Sequence, residues 1–170
     1  MLLNQAHDLE GAREEALRLI VKYEVIEPPV PIYRIARSEG LEVFVRDFGD
    51  SDTVSGYIDI RNRRVIINST DIPTRQVFTV AHELGHWILH REQVLAEPSM
   101  AVVYRRPLAA RESQKREQEA NAFAGTLLVP PLLLRRIMSQ FLDITRQDLA
   151  KIFGVSVPMM EIRLQQEGLL

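Results

Sequence analysis

The sequence predicts an α+β fold that is mostly helical. A small antiparallel three-stranded sheet is expected beside a helix carrying His82-Glu83-Leu84-Gly85-His86, with a helix-turn-helix-like pair at the C-terminus. Three observations lead there. Apolar residues recur at three- and four-residue spacing from Pro73 to His90, short alternating runs broken by turn residues fill Leu41 to Asn68, and capping residues punctuate Thr145 to Gly168.

The elements follow in order. Leu9 to Ile26 reads as a helix, with Ala16, Ile20 and Tyr23 or Glu24 at helical spacing, and Pro28-Pro29 stops it. A second helix begins near Pro31 and ends at Gly40. Leu41 to Arg46 alternates as a strand, Asp47 to Asp52 is a loop, and Ser55 to Ile60 with Arg64 to Asn68 forms a hairpin around Arg61-Asn62-Arg63. Asp71 and Pro73 then signal a helix start, and Val77, Ala81, Leu84, Gly85 and Ile88 make its apolar stripe. Gln93 to Glu112, with Pro98 and Pro107, has few helix signals and is a candidate wall or lid for a substrate cleft. Residues 117–128 are helical again, on the apolar row Ala120, Phe123, Ala124, Leu127 and Leu128. Thr145 caps a helix to Phe153, Gly154 turns the chain, and Ser156 caps a last helix to about Glu167. Residues 1–140 are expected to form the main domain and 141–170 a helical extension.

Composition bounds the chemistry. The 170 residues, 46% hydrophobic, suffice for a real core. With no cysteine, neither disulfides nor a thiolate metal site is available, so any metal must be held by nitrogen and oxygen. No basic stretch followed by an apolar core opens the chain, and nowhere do eighteen apolar residues run together, so a soluble, cytoplasmic protein without a membrane is expected. A formal net charge of -2 gives no general attraction to nucleic acid or anionic lipid.

The chemistry-bearing run is the HExxH match. On a helix, residues i and i+4 stand one above the other, so His82 and His86 project from one face at a spacing that suits two ligands of a tetrahedral zinc. Glu83 sits on the adjoining flank, where its carboxylate reaches a water rather than the metal, the place of a general base. A glycine three residues after His86 and a histidine six after it would supply a third ligand on the same segment, but Leu89 and Glu92 stand there. His90 lies about 12 Å along the helix from His82, too far to share one metal with it. It is read instead as a donor behind the ligands, a substrate contact or a helix-end histidine.

The third ligand is therefore sought on the second acidic helix, at Glu117 or Glu119. At 100° per residue, Glu117 lies roughly 60° from the centre of the apolar face and Glu119 roughly 100°. Glu117 is the more inward and has Asn121 one turn later, placed to orient a ligand; Glu119 stands as the alternative. Tyr104 is the one residue of the connecting segment suited to polarise a carbonyl oxygen. A His2Glu site accepts manganese or cobalt as well as the expected Zn2+.

The order of Pro29-Val30-Pro31, a hairpin, Phe78-Thr79-Val80-Ala81-His82-Glu83-Leu84-Gly85-His86, then Glu117-x-Glu119-Ala120-Asn121-x-Phe123-Ala124 and Leu127-Leu128-Val129-Pro130 resembles the ImmA/IrrE family of metallo-endopeptidases. The likeness spans about Pro28 to Pro131. It implies a zincin-like core and a cytoplasmic bacterial or mobile-element zinc endopeptidase that cleaves a helix-turn-helix repressor, switching on stress or excision genes. It also implies the histidine pair and one glutamate of the second motif as ligands, without saying which. A rival reading comes from the C-terminal pair, which has the outline of a DNA reader or of a binder that sequesters a regulator. Against it, Arg146, Lys151 and Arg163 face Asp143, Asp148, Glu161 and Glu167, leaving no basic surplus for phosphates. No direct nucleic-acid partner is expected.

Overall fold

The computed structural model describes residues 8–49, 54–96 and 110–170, the first four of the last stretch by backbone alone. Their elements run α1 (Leu9–Lys22), α2 (Ile32–Ser38), β1 (Glu42–Arg46), β2 (Gly56–Asp59), β3 (Arg64–Asn68), α3 (Pro73–Ala96), α4 (Ala110–Leu128), α5 (Pro131–Gln140), α6 (Arg146–Phe153) and α7 (Val157–Gln166). The mostly helical α+β class holds. Tyr104 and most of the connecting segment lie outside the described residues.

The sheet corrects one expectation: it is mixed rather than antiparallel. Its order is β1-β3-β2, with β3 antiparallel to β2 and parallel to β1. Strands adjacent in sequence usually pair, which is what a meander assumes. Here the hairpin turn brings β3 back between β1 and β2. Val65 and Ile67 of β3 are fully buried, and the most deeply buried strand takes the centre. Among the described residues β2 pairs only with β3, which leaves β2 at an edge.

Helix boundaries shift where burial overrides local signals. α1 stops at Lys22 rather than near Ile26, because the chain turns with Glu24 at positive φ and brings Val25 into the core. α3 continues past His90 to Ala96, since the row Trp87, His90 and Val94 goes on being buried. Pro130-Pro131 ends α4 but also starts α5, with proline in the first turn where its missing N–H costs nothing.

α1 packs mainly along α4, and α3 and α4 are the framework of the molecule. Their approach is close because Gly85 has no side chain: a Cβ there would stand 3.1 Å from Phe123 Cδ1 and 3.2 Å from Ala120 Cα. On α3's other flank, a Cβ at Gly56 would meet Thr79 Cγ2 at 2.6 Å and the Ile66 carbonyl oxygen at 2.7 Å. These two glycines press α4 and β2 against the helix that carries His82 and His86.

The C-terminal helices form as expected. Thr145 and Asp148 make a reciprocal capping box, and Gly154 closes α6 in the left-handed region at φ 67°. On α7, Arg163 is buried, donating to the Val129 carbonyl at 3.2 Å and to Glu167 Oε1 at 2.7 Å. Arg146 pairs with Glu161 at 2.9 Å. Both arginines are thus committed to internal partners.

Gly56→Ala is expected to destabilise the protein by about 1–3 kcal/mol, since the added methyl meets a backbone oxygen that cannot rotate away. Urea unfolding measures this, and a midpoint equal to the parent's would contradict the close β2–α3 packing.

Candidate metal centre

Three side chains face one another across the gap between α3 and α4. His82 Nε2 and His86 Nε2 are 3.1 Å apart, Glu117 Oε2 is 3.1 Å from His82 Nε2, and Glu117 Oε1 is 3.2 Å from His86 Nε2. The two histidines come from successive turns of α3 and the carboxylate from α4, as the Gly85 crossing requires. His82, His86 and Glu117 are a group that could hold a metal ion.

The far side of each imidazole shows why a cation belongs there. His82 Nδ1 is 2.9 Å from Asn121 Oδ1, and an amide oxygen only accepts, so that ring nitrogen carries a proton. His86 Nδ1 is 3.0 Å from His90 Nδ1, so its outer nitrogen is also engaged. In the form that binds a metal, Nδ1 carries the proton and each ring turns its Nε2 lone pair inward, beside a carboxylate that offers only lone pairs. That set needs a positive charge at its centre, supplied by a cation or, without one, by a proton held between the Nε2 atoms and Glu117. Zinc–ligand distances near 2.0–2.1 Å in a tetrahedron place ligand atoms roughly 3.3 Å apart, close to the triangle observed. The donor set therefore fits a divalent cation.

Burial and charge tune the groups in opposite directions. Burial pushes the Glu83 carboxyl up to about 7, with His82 drawing it down and Glu117 adding to the rise. Glu117 would also be raised by burial, but hydrogen bonds from His82 and His86 overrule this and hold it well below the usual carboxylate range. Burial lowers His86 and His90, keeping both rings neutral near pH 7. His82 loses by burial too, yet the Glu117 carboxylate lifts it above its ordinary value. A carboxylic acid poised near neutrality beside a metal-type ligand set is equipped to exchange a proton at working pH.

The site opens into a cleft of about 430 Å3 lined by Ser55, Gly56 and Tyr57 on the sheet side and by Arg75, Phe78 and Thr79 along α3. Arg75 Nε donates to Ser55 Oγ at 2.8 Å, fixing the strand entry to the helix. Phe78 lies one turn before His82, ring centroids 6.1 Å apart. The sequence reading missed Arg75 and Phe78, although positions four and seven residues before His82 lie on the same helical row.

Of the residues singled out from sequence, His82, Glu83, His86 and Glu117 are brought together. Glu119 is not in that cluster: its Oε2 is 3.0 Å from His90 Nε2, and its Oε1 accepts from the Asp8 backbone N–H at 3.2 Å. His90 stands behind His86, away from the open side. Asn121, expected to orient a ligand from its place one turn after Glu117, has its Oδ1 2.9 Å from His82 Nδ1.

A His-His-Glu cluster with a buried glutamate beside it, set in a helical frame with a three-stranded sheet, is the site of the HExxH class of metallopeptidases. Within that class the chain belongs to the Peptidase_M78 family: the family's model, described as IrrE N-terminal-like domain, matches residues 36–165. The uncharacterized immunity region protein 2 of Bacillus phage phi105 is 27% identical over 146 residues, covering 86% of this chain and 84% of that protein. Metallopeptidase ImmA of Bacillus subtilis (strain 168) is 22% identical over 138 residues, covering 81% of this chain and 76% of that protein. Among solved structures, a Mycobacterium tuberculosis transcriptional regulator shares the fold with a TM-score of 0.67 at 19% identity over 92% of this chain. This chain spans 46% of that structure's length.

The elevated Glu83 carboxyl has a stability consequence in the metal-free protein. Its folded pKa of about 7 lies above the ordinary 4.5, so stability is fully present with the acid protonated and is lost as pH rises from 4.5 through about 7. Glu83→Gln removes that loss. Urea unfolding of both metal-free proteins at pH 4 and pH 8 should show the variant gaining on the parent by roughly 2–3 kcal/mol across the interval. A gap that does not change with pH would rule out the buried acid.

Proposed function

We propose that the protein is a zinc endopeptidase whose substrate is a helix-turn-helix repressor, cleaved in the cytoplasm to release stress or mobile-element genes. The observation that carries the peptidase reading is the convergence of His82, His86 and Glu117 on one point with the buried acid Glu83 beside it. The immunity region and ImmA names of the two bacterial and phage relatives support the regulatory setting.

In this reading His82, His86 and Glu117 hold the ion, and Glu119 does not. Zinc, when bound, supplies Lewis acidity that brings a water's pKa toward about 7 and polarises a carbonyl. Glu83 takes the proton of the attacking water and passes it to the leaving amine, so hydroxyl ends on the carbonyl carbon and hydrogen on nitrogen. Its raised pKa makes both transfers accessible near neutrality. The tertiary frame excludes bulk water from the back of the site, where His86 and His90 are buried.

The edge strand β2 supports an extended peptide as substrate. Asn68 N donates to Ser55 O at 2.8 Å, so alternation along the antiparallel pair turns the backbone groups of Tyr57 toward β3 and those of Gly56 and Ile58 outward. An incoming segment adds as a further strand along Gly56 to Ile58, which passes it over the cleft. An extended segment implies that the substrate unfolds locally or presents a linker.

Purified protein incubated with the repressor encoded beside its gene should cleave it, and a chelator should stop the reaction. Intact repressor under both conditions would refute the assignment. Glu83→Gln is expected to keep its zinc while activity falls by several orders of magnitude; activity equal to the parent's would dismiss Glu83 as the base. For the third ligand, Glu117→Ala should lose stoichiometric zinc whereas Glu119→Ala should retain it at saturating metal. The reverse pattern would exchange the two roles.

A further inference from the structure

Two residues around the site have no part in the proposed reaction, yet they are held as firmly as the ligands. His90 is 2% exposed, a turn beyond His86, with both ring nitrogens in short contacts: Nδ1 at 3.0 Å from His86 Nδ1 and Nε2 at 3.0 Å from Glu119 Oε2. The Glu119 carboxylate is itself fixed at its other oxygen by the Asp8 backbone N–H at 3.2 Å and by Lys115 Nζ at 3.8 Å. Imidazoles in a protein core need partners, but a packing role needs only one acceptor and no particular direction.

The direction of this chain follows from hydrogen-bond arithmetic. The Glu119 carboxylate can only accept, so His90 Nε2 carries the proton. A neutral His90 then has a lone pair on Nδ1, and the contact to His86 Nδ1 requires a proton on His86. His86 is left with its lone pair on Nε2, the atom that faces Glu117 and His82. One acid, two shells away, thereby selects the tautomer of a metal-facing histidine. The opposite tautomer of His90 would place N–H against N–H at His86 and turn the Nε2 lone pair of His90 onto a carboxylate.

We propose that Glu119 and His90 form a positioning relay, Glu119 to His90 to His86, that locks His86 in its metal-binding tautomer and raises the site's affinity for a divalent cation. The proposal rests on the metal-site reading above and assigns to Glu119, the alternative ligand by sequence, a role behind the site. His82 is locked separately, by Asn121. Because Asp8 caps α1 and also donates to Glu119, the start of α1 is tied to the relay.

The test uses the full chain with zinc as the probe. Competition against a chromophoric chelator should show His90→Ala and Glu119→Ala each weakening zinc binding by about 10- to 100-fold while still binding one equivalent at saturation. The double variant should be no weaker than either single one, since both break the same chain. Glu119→Gln, whose amide oxygen still accepts from His90, should restore most of the affinity and guards against a folding defect in the alanine variants. The signature that packing alone would not move is the tautomer: nitrogen NMR of the histidine-labelled zinc protein should show His90 protonated on Nε2 and His86 on Nδ1, and Glu119→Ala should mix the His90 forms. Parent-like affinity in both alanine variants, additive losses in the double variant, or His90 protonated on Nδ1 in the parent would each overturn the relay while leaving the metal site standing. A parent that binds no zinc would overturn the metal site itself, and the relay with it.

Discussion

Two imidazoles and one carboxylate meet at a single point because Gly85, without a side chain, lets α3 come close to α4. Gly85 against Ala120 sets that distance. Everything chemical in the molecule follows from the crossing: it brings a helix with two histidines one turn apart against a helix with an acid, and it buries Glu83 on the same side. Gathering these acceptors costs free energy unless a cation or a proton sits among them, and the fold has to hold them in place. The surrounding hydrophobic contacts of Leu84, Phe123, Ala124 and Leu127, all fully buried, supply the stabilisation that keeps them there.

The two imidazoles are held in different ways, and the difference is informative. His82 leans on Asn121 of α4, the helix that also provides Glu117, so Asn121 and Glu117 move as one body. His86 leans on His90 of its own helix, and through it on Glu119 of α4. Both connections end on α4, so the orientation of each imidazole and the spacing of the two helices are one mechanical quantity. The sheet plays the complementary part. With β3 in the centre, β1 and β2 are the two edges among the described residues, and the edge beside the cleft is β2, which Gly56 lets lie against Thr79.

Local rules made several features readable from sequence. The His82/His86 face, the adjoining position of Glu83 and the capped C-terminal helices all depend on spacing within one element, where 100° per residue is enough. The expected order of burial on α4 is reversed: the Glu119 side chain is 12% exposed and that of Glu117 49%, because Glu119 packs under His90 while Glu117 sits at the open gap. The strand pairing was not readable that way. A meander and the observed β1-β3-β2 order place the same alternating residues on the same faces, and only the burial of Val65 and Ile67 from both sides puts β3 in the middle. The end of α3 failed for a similar reason, because no turn residue marks it and the burial of Val94 carries the helix on. α5 was hidden by its prolines, which read as a stop and serve equally as a start.

Sequence alone determined which residues share a helix face, because that is fixed by a helical repeat and needs no partner. It put the histidine pair and the acid next to it on one stretch of helix, and it left no thiolate chemistry. Tertiary structure decided which acid of the second motif points at the pair, what Glu119 and His90 do instead, and which strand lies open beside the cleft. Those depend on the rotation and distance of one element against another. Contacts between residues far apart in the chain set both, and no periodicity within a segment encodes them.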